Sequence, residues 1–382
     1  MRTATTPKVV SAAAEPVLCV GFELSASEWK MAFSPGLGQQ PRRRTVRAGD
    51  LAKVQEEIAR AKARFGLPAD ARVVSCYEAG REGFWPHREL EKVGIENLVV
   101  DSASIEVNRR SRRAKTDQLD AGKLVGMLLR WVAGDKRVWR VVRVPSVEEE
   151  DRRQLHRELK AAQEDRTRVT NRIKSLLYAQ GIRLEKVKDL STLLDPRRLA
   201  GVLPQGLRAR LEREWRQVQL LEETIRELEA ERRRLLRSAQ DAGTECARKL
   251  MLLCAIGVNS AWLFGMEFFS WRQFQNRRQI GGLAGLSPTP YQSGSESREQ
   301  GICKAGNRWI RGMAIEIAWA WLRYQPNSEL SRWYQERFGH GSKRLRKIGI
   351  VALARKLLIE LWKYLQTGTP PAGAVLKARV VY

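Results

Sequence analysis

Along the first hundred residues the apolar positions fall in short runs separated by turns, and beyond them they recur at helical spacing. Val17-Leu18-Cys19-Val20-Gly21-Phe22-Glu23-Leu24 has the length of a buried strand, and Trp29 to Ser34 reads as its hairpin partner across Ser25-Ala26-Ser27. A third strand is expected near Arg44 to Arg47. A helix follows from Asp50 to Phe65: Asp50 can cap it, Leu51, Val54, Ile58 and Ala61 form one face, and Gly66 can end it. Ala71 to Tyr77 is the next strand. It delivers Glu78 just before the glycine-punctuated turn Gly80-Arg81-Glu82-Gly83 and another helix, and Asn97 to Val100 forms a last strand ending at Asp101. This order predicts a mixed α/β sheet of the RNase H type.

From about Val147 the texture changes. Leu155, Leu159, Ala162, Arg166, Val169, Ile173 and Leu176 follow a four-three spacing, and a second register runs through Leu207, Leu211, Val218, Leu221, Ile225, Leu228 and Leu235. Arg166 and Arg232 interrupt these seams, and the Gly181 to Gly206 connection lets the two helices fold back antiparallel as a coiled-coil arm. An isolated hairpin of this kind would leave apolar surface, which points to a homo-oligomer, a dimer to a tetramer. After Cys246 the chain becomes apolar and glycine-rich. Met251 to Met266 is uncharged but too short to span a bilayer and reads as buried core. Ala255 to Trp262 resembles half a helix-hairpin-helix element able to receive a phosphate, though a plain helix start fits it equally. A serine-rich loop then lies between basic, helix-forming segments, and Trp309, Trp319, Trp321 and Trp333 suit core or interface better than base stacking.

Charge narrows the class. Across 382 residues, 69 lysines and arginines face 43 acids for a formal charge of +26, while hydrophobic residues still make up 43%. A folded chain this basic is expected to work on nucleic acid. A membrane is the other polyanion, but neither a signal peptide nor a membrane span is apparent. Five cysteines without a CxxC pair suggest no disulfide framework or zinc site and fit a reducing cytoplasm. The three histidines, at 87, 156 and 340, have no metal-ligand spacing, so histidine-centred catalysis is not expected.

The chemistry-bearing stretch is Lys115-Thr116-Asp117-Gln118-Leu119-Asp120. Asp117 and Asp120 share a helix face, which is costly unless a cation lies between them, and the run Arg109-Arg110-Ser111-Arg112-Arg113-Ala114-Lys115 suits a polyanion approaching the same place. Glu23 lies near the end of one strand and Glu78 at the end of another. If all four carboxylates converge they can hold two magnesium ions for phosphoryl transfer. The alternative is that they serve as caps and salt-bridge partners. Arg298, Lys304, Arg308, Arg311, Lys343 and Arg344 are candidate phosphate contacts near the serine loop, whose serines have no histidine base close in sequence.

Gly21-Phe22-Glu23-Leu24-Ser25, Tyr77-Glu78-Ala79, Lys115 to Asp120, and the Ser293-Gly294 loop followed by Gly301-Ile302-Cys303-Lys304-Ala305-Gly306-Asn307-Arg308 resemble, in their order, the DEDD transposases of insertion-sequence family 110. The resemblance covers nearly the whole chain. It implies a RuvC-like domain over 16–146 after a disordered 1–15, a coiled-coil arm over 147–242, a largely helical transposase domain over 243–370 and a tail over 371–382. It implies further that Glu23, Glu78, Asp117 and Asp120 are the acidic tetrad, with Glu23 where the family has aspartate. Ser293 becomes the nucleophile that attacks double-stranded DNA, with Ser295 and Ser297 close by, and a bridge RNA pairs with donor and target. A RuvC-type nuclease using water and a non-catalytic RNA- or DNA-binding scaffold are the alternatives.

Overall fold

The computed structural model describes residues 15–105, 117–186, 189, 203–293, 296–304 and 306–378; at 103, 117–120, 290–293 and 296–300 it describes the backbone alone. The chain forms two compact units, 1–144 and 145–382.

The first unit is built on five strands: β1 (Val17–Leu24), β2 (Glu28–Ser34), β3 (Arg42–Arg47), β4 (Arg72–Glu78) and β5 (Glu96–Val100). Their order is β3-β2-β1-β4-β5. The first three are antiparallel neighbours, whereas β1 with β4 and β4 with β5 run parallel. The connections supply α1 (Leu51–Arg64), α2 (Trp85–Lys92) and α3 (Asp117–Val132).

Pleat alternation explains why β1 is apolar throughout. Leu18, Val20 and Phe22 enter one core with Trp29, Met31 and Phe33, while Cys19 enters a second with Ala121, Leu124, Val125 and Leu128 of α3. A strand covered on both faces reads as a continuous hydrophobic run, and each large side chain so buried contributes roughly 1.5 to 3 kcal/mol. The edge strand β3 follows a different logic. Arg42 and Arg44 reach the buried Glu57 of α1 at 2.7 and 3.2 Å, so an arginine-rich segment is held as strand by one enclosed carboxylate. At the start of α1 the Lys53 N–H donates to Asp50 Oδ1 at 2.9 Å, and Gly66 follows its end with φ +66°. The arginine run at 109–115 and the first residues, 1–14, lie outside the described residues.

The second unit opens with α4 (Val147–Tyr178) and α5 (Gln205–Ser238). They pack antiparallel: Leu159 and Ala162 meet Ile225 and Leu228, and at the other end Val169, Ile173 and Leu177 meet Leu211 and Val218. Toward the helix ends the buried positions slip by one, to Leu177 rather than Leu176 and Leu236 rather than Leu235. A straight helix of 3.6 residues per turn drifts against a seven-residue repeat in this way. The seam is thus filled within one chain, and no second copy is required to cover it.

Beyond the arm come α6 (Ala242–Met251), α7 (Val258–Phe264), a π-helical turn Gly265–Phe269, and α8 (Arg277–Leu283). Then follow strands β6 (Pro288–Ser293) and β7 (Glu296–Ile302), helices α9 (Arg308–Tyr324) and α10 (Glu329–Tyr334), a second π-helical turn Gln335–Gly339, and α11 (Lys343–Thr367). Their core contains Trp262, Phe264, Phe268, Trp321 and Leu357. The uncharged stretch Met251 to Met266 contributes to this core from three successive elements rather than one helix. Gly257 caps α7 with help from the Ser260 hydroxyl, and Ser260, Ala261 and Trp262 are buried. This is a helix start capped by its own residues, with Gly257 and Asn259 left exposed. Where a serine-rich loop is expected, the backbone instead forms an antiparallel hairpin.

The arm meets this core through Leu155, Leu235 and Leu236 and through a buried carboxylate. Glu267, 1% exposed in the π-helical turn, accepts from Arg153 Nε at 3.1 Å and Arg157 Nε at 2.7 Å, both on α4. Burial pushes its pKa up, but the two guanidiniums outweigh this and hold it below the ordinary carboxylate value. His156, buried beside them, is lowered by burial to about 4 and stays neutral at pH 7. No helix among the described residues is long and apolar enough to cross a membrane.

Candidate active site

Two of the four carboxylates are brought together by strand register. β1 and β4 run parallel with Phe22 opposite Tyr77, so the next residues of the two strands are Glu23 and Glu78. Phe22 and Tyr77 enter the core on the α1 and α2 side, and alternation puts the two glutamates on the opposite face, the one covered by α3. Glu23 is half-buried and Glu78 exposed.

Backbone packing brings the helix to the same edge. A Cβ added at Gly21 would meet the Ala121 carbonyl oxygen and the Val125 nitrogen, each at 2.7 Å, so α3 lies directly on β1 two residues before Glu23. Ala121 also lines a small cavity with Lys30 and Thr45, and Lys30 is the cross-strand partner of Glu23. The first turn of α3, which contains Asp117 and Asp120, thus immediately precedes the residue that packs on β1 and shares a cavity with Lys30, opposite Glu23. The directions of those two aspartate side chains lie outside the described residues. Among the described residues no three His, Cys, Asp or Glu side chains converge as a metal site. His87 is held in a structural contact, its Nδ1 lying 3.0 Å from Asn97 Nδ2, and Asn97 Oδ1 accepts from Ser75.

Ser293 ends β6, paired in register with Glu296 of β7 at the hairpin tip. The returning segment explains the Gly301 to Arg308 motif. Cys303 N–H donates to Ser287 O at 2.9 Å, Lys304 N–H to Gly285 O at 3.2 Å, and Asn307 N–H to Leu283 O at 3.0 Å. Gly306 sits at φ +91°, where a Cβ would approach the Leu283 carbonyl oxygen to 2.2 Å, so glycine is required there. The Asn307 side chain then caps α9 by accepting from Trp309 and Ile310 N–H. These contacts form a fixed base under the hairpin.

The expected phosphate contacts divide accordingly. Arg311 is engaged by the base itself, donating to Lys304 O at 2.9 Å, whereas Lys304 and Arg308 are exposed beside it. Arg298 belongs to β7, where only its backbone is described. Lys343 and Arg344 open α11, capped by Ser342, and border a cleft of about 1190 Å³ that also touches Pro288, Gly301 and Ile302 at the root of the hairpin. Lys347, Arg355 and Lys356 extend this basic border along α11. Their signal in the sequence is the recurrence of cations at 344, 347, 355, 356 and 363 along a largely apolar helix. Arg109, Arg110, Arg112, Arg113 and Lys115 lie outside the described residues.

A family model, Transposase IS116/IS110/IS902 family, matches residues 247–335, the span that holds the hairpin and its base. The chain is 42% identical over 375 residues to a Sinorhizobium fredii protein named as a transposase, y4rJ, covering 94% of each chain. It is 28% identical over 222 residues to the transposase for insertion sequence element IS1328 of Yersinia enterocolitica, which spans 56% of this chain and 63% of that one. A family 20 transposase of Pseudomonas aeruginosa is 28% identical over 234 residues, 60% of this chain and 68% of its own length.

Proposed function

The chain belongs to the IS116/IS110/IS902 transposase family, and from that premise we propose that it cuts and rejoins DNA through a covalent phosphoserine link at Ser293. The observation that carries the reading is the mounting of Ser293 at the tip of a hairpin whose base is fixed by Gly306, Asn307 and three cross-loop hydrogen bonds. Such a mount limits the freedom of the backbone that carries the nucleophile.

In this reading Ser293 Oγ attacks a phosphodiester. The P–Oγ bond forms as the P–O3′ bond breaks, and the serine proton passes through the site to the departing 3′-oxygen. The 3′-hydroxyl of the partner DNA then attacks the phosphoserine and returns the proton to Ser293 Oγ. The phosphodiester count is unchanged at the end, so no nucleotide hydrolysis is needed.

The sheet of the first unit is proposed to be of the RuvC and RNase H type, because its 3-2-1-4-5 order places Glu23 and Glu78 side by side at parallel strand ends. The donor chemistry fits a hard cation: two carboxylates on one face of the sheet, beside the helix turn that carries two more. Glu23, Glu78, Asp117 and Asp120 would hold two magnesium ions, which when bound polarise the phosphate and stabilise the leaving oxygen. Lys30, adjacent to Glu23 across the sheet, supplies a fixed positive charge at the same row.

A bridge RNA encoded by the element selects donor and target, and assembly of two to four copies completes the proposal. The net charge of +26 supports handling two nucleic acids at once. The test incubates the protein with labelled junction DNA, the element's flanking RNA and magnesium, then resolves the products under denaturing conditions. A protein–DNA adduct lost in both Ser293→Ala and Asp117→Ala is the expected result. Cleavage that persists in Ser293→Ala without an adduct would replace the serine with water as nucleophile.

A further inference from the structure

Helix α11 buries one face in the core, and the half-buried residues flanking that face, Val351 and Ile359 among them, continue from the core to the wall of a cleft. Ile350, Leu353, Ala354, Leu357, Leu358 and Leu361 are buried. The adjoining face, from Arg344 to Lys363, lines the cleft beside the hairpin root and extends about 28 Å. On it Ile348, Val351, Ala352 and Ile359 form an apolar floor with Leu286, while the described lining residues include eight lysines and arginines against one glutamate. That glutamate, Glu360, is already paired with Lys363 at 2.8 Å. Arg355 is packed against Gly281, 2.8 Å from where a Cβ would stand, and its Nε is buried without a hydrogen-bond partner.

We infer that this cleft seats an unpaired DNA strand and leads it to the serine hairpin. A basic rim follows a phosphate backbone, but a duplex would present to the floor only more phosphate and sugar. An unpaired strand offers base faces for Trp333 and the aliphatic residues Ile348, Val351 and Ile359 to cover, and a charged border beside an aromatic ring is a combination that single strands bind. Pro288 and Ile302 line the cleft and belong to β6 and β7, so the strand leaves it beside the segment that ends, roughly 17 Å further on, at Ser293. Among the described lining residues Glu360, already paired with Lys363, is the one side-chain acceptor for a ribose 2′-hydroxyl proton, which favours DNA over RNA. Delivery to the hairpin rests on the reading of Ser293 as nucleophile, whereas occupancy of the cleft does not.

The test is equilibrium binding by fluorescence anisotropy, in EDTA and in the Ser293→Ala background, so that a failure of the phosphoserine chemistry leaves the result intact. The probes are labelled oligothymidylate about 20 nucleotides long, the matching duplex and oligouridylate. The cleft pair Lys347→Glu with Lys356→Glu should weaken oligothymidylate binding by about tenfold or more and lower its salt slope. The floor pair Ile348→Ser with Ile359→Ser should weaken it by about fivefold with the salt slope unchanged. Duplex binding should move by less than about twofold in both, and the arm pair Arg226→Glu with Arg233→Glu should spare oligothymidylate, with all variants retaining wild-type circular dichroism. The inference is overturned if oligothymidylate binding survives both cleft pairs, if duplex binding falls equally, or if oligouridylate is the ligand lost.

Discussion

Glu23 and Glu78 at the strand ends of the first unit, and Glu267 in the core of the second, are the same residue type under opposite treatment. Glu267 is nearly inaccessible and takes hydrogen bonds from two arginines of the arm, so its charge is spent holding α4 against the C-terminal core. Glu23 and Glu78 stand half-buried and exposed on one face of the sheet, where parallel pairing sets one carboxylate beside the other. A carboxylate enclosed by two guanidiniums stabilises the fold. One placed beside another carboxylate at the surface suits a cation from outside.

Substitution should separate the two kinds sharply. Glu78→Gln and Asp117→Asn are expected to lower strand cleavage by on the order of a thousandfold in a gel assay while changing unfolding free energy by less than about 0.5 kcal/mol. Glu267→Ala should do the reverse. It leaves Arg153 and Arg157 facing each other without their partner, so denaturant unfolding should show a loss of about 3 to 5 kcal/mol, with cleavage retained below the new midpoint. If Glu78→Gln also destabilised the fold by several kcal/mol, the contrast between the two sites would fail.

The pH response should sharpen it further. His156 is neutral in the folded protein down to about pH 4 but takes a proton near 6.5 when unfolded. The unfolded state therefore binds more protons between these values, and stability falls as pH drops through this window, by about 3 kcal/mol. Glu267 has a lowered folded value, so its contribution is present above the ordinary glutamate range and is lost as pH falls through the folded pKa. His156→Leu should flatten the profile between pH 6.5 and 4 in thermal or urea unfolding. The smallest effect is expected at Asp50→Ala, which removes the cap of α1 and should cost about 1 kcal/mol without touching either carboxylate site.

Much of the first unit was legible because its physics is local. The run from Val17 to Leu24 and the capped, one-sided helix after Asp50 coincide with β1 and α1, since alternation, capping and helical spacing act over a few residues. The placement of Glu23 beside Glu78 was only implicit. It depends on the parallel pairing of β1 with β4, a contact between segments some fifty residues apart that no local pattern encodes. The arm was legible in its two registers and in its antiparallel return through the Gly181 to Gly206 connection, whereas heptads alone do not say how much apolar surface the pair leaves for a second copy.

The hairpin bearing Ser293 was hidden by its own composition. Pro288, Pro290 and the serines read as loop, yet a two-stranded ribbon tolerates proline where no ladder hydrogen bond is required. Gly306 and Asn307 were visible as motif letters, and their reasons, a carbonyl 2.2 Å from the missing Cβ and the cap of α9, appear only in three dimensions. The cleft face of α11 was obscured in a similar way. With half-buried apolar residues flanking the core face and cations among them, the helix has no single polar face from which a pattern could separate core from groove.

The most direct measurement is to digest the trapped protein–DNA adduct with trypsin and locate the nucleotide by fragmentation mass spectrometry. The peptide from Gln279 to Arg298 contains Ser287, Ser293, Ser295 and Ser297 together with Thr289 and Tyr291, and fragment ions distinguish the four serines from one another and from these two. The expected result is a nucleotide phosphate on Ser293 and none on the other three. A nucleotide on any other residue, or cut DNA bearing a free 5′-phosphate with no modified peptide, would contradict the serine-mediated transfer.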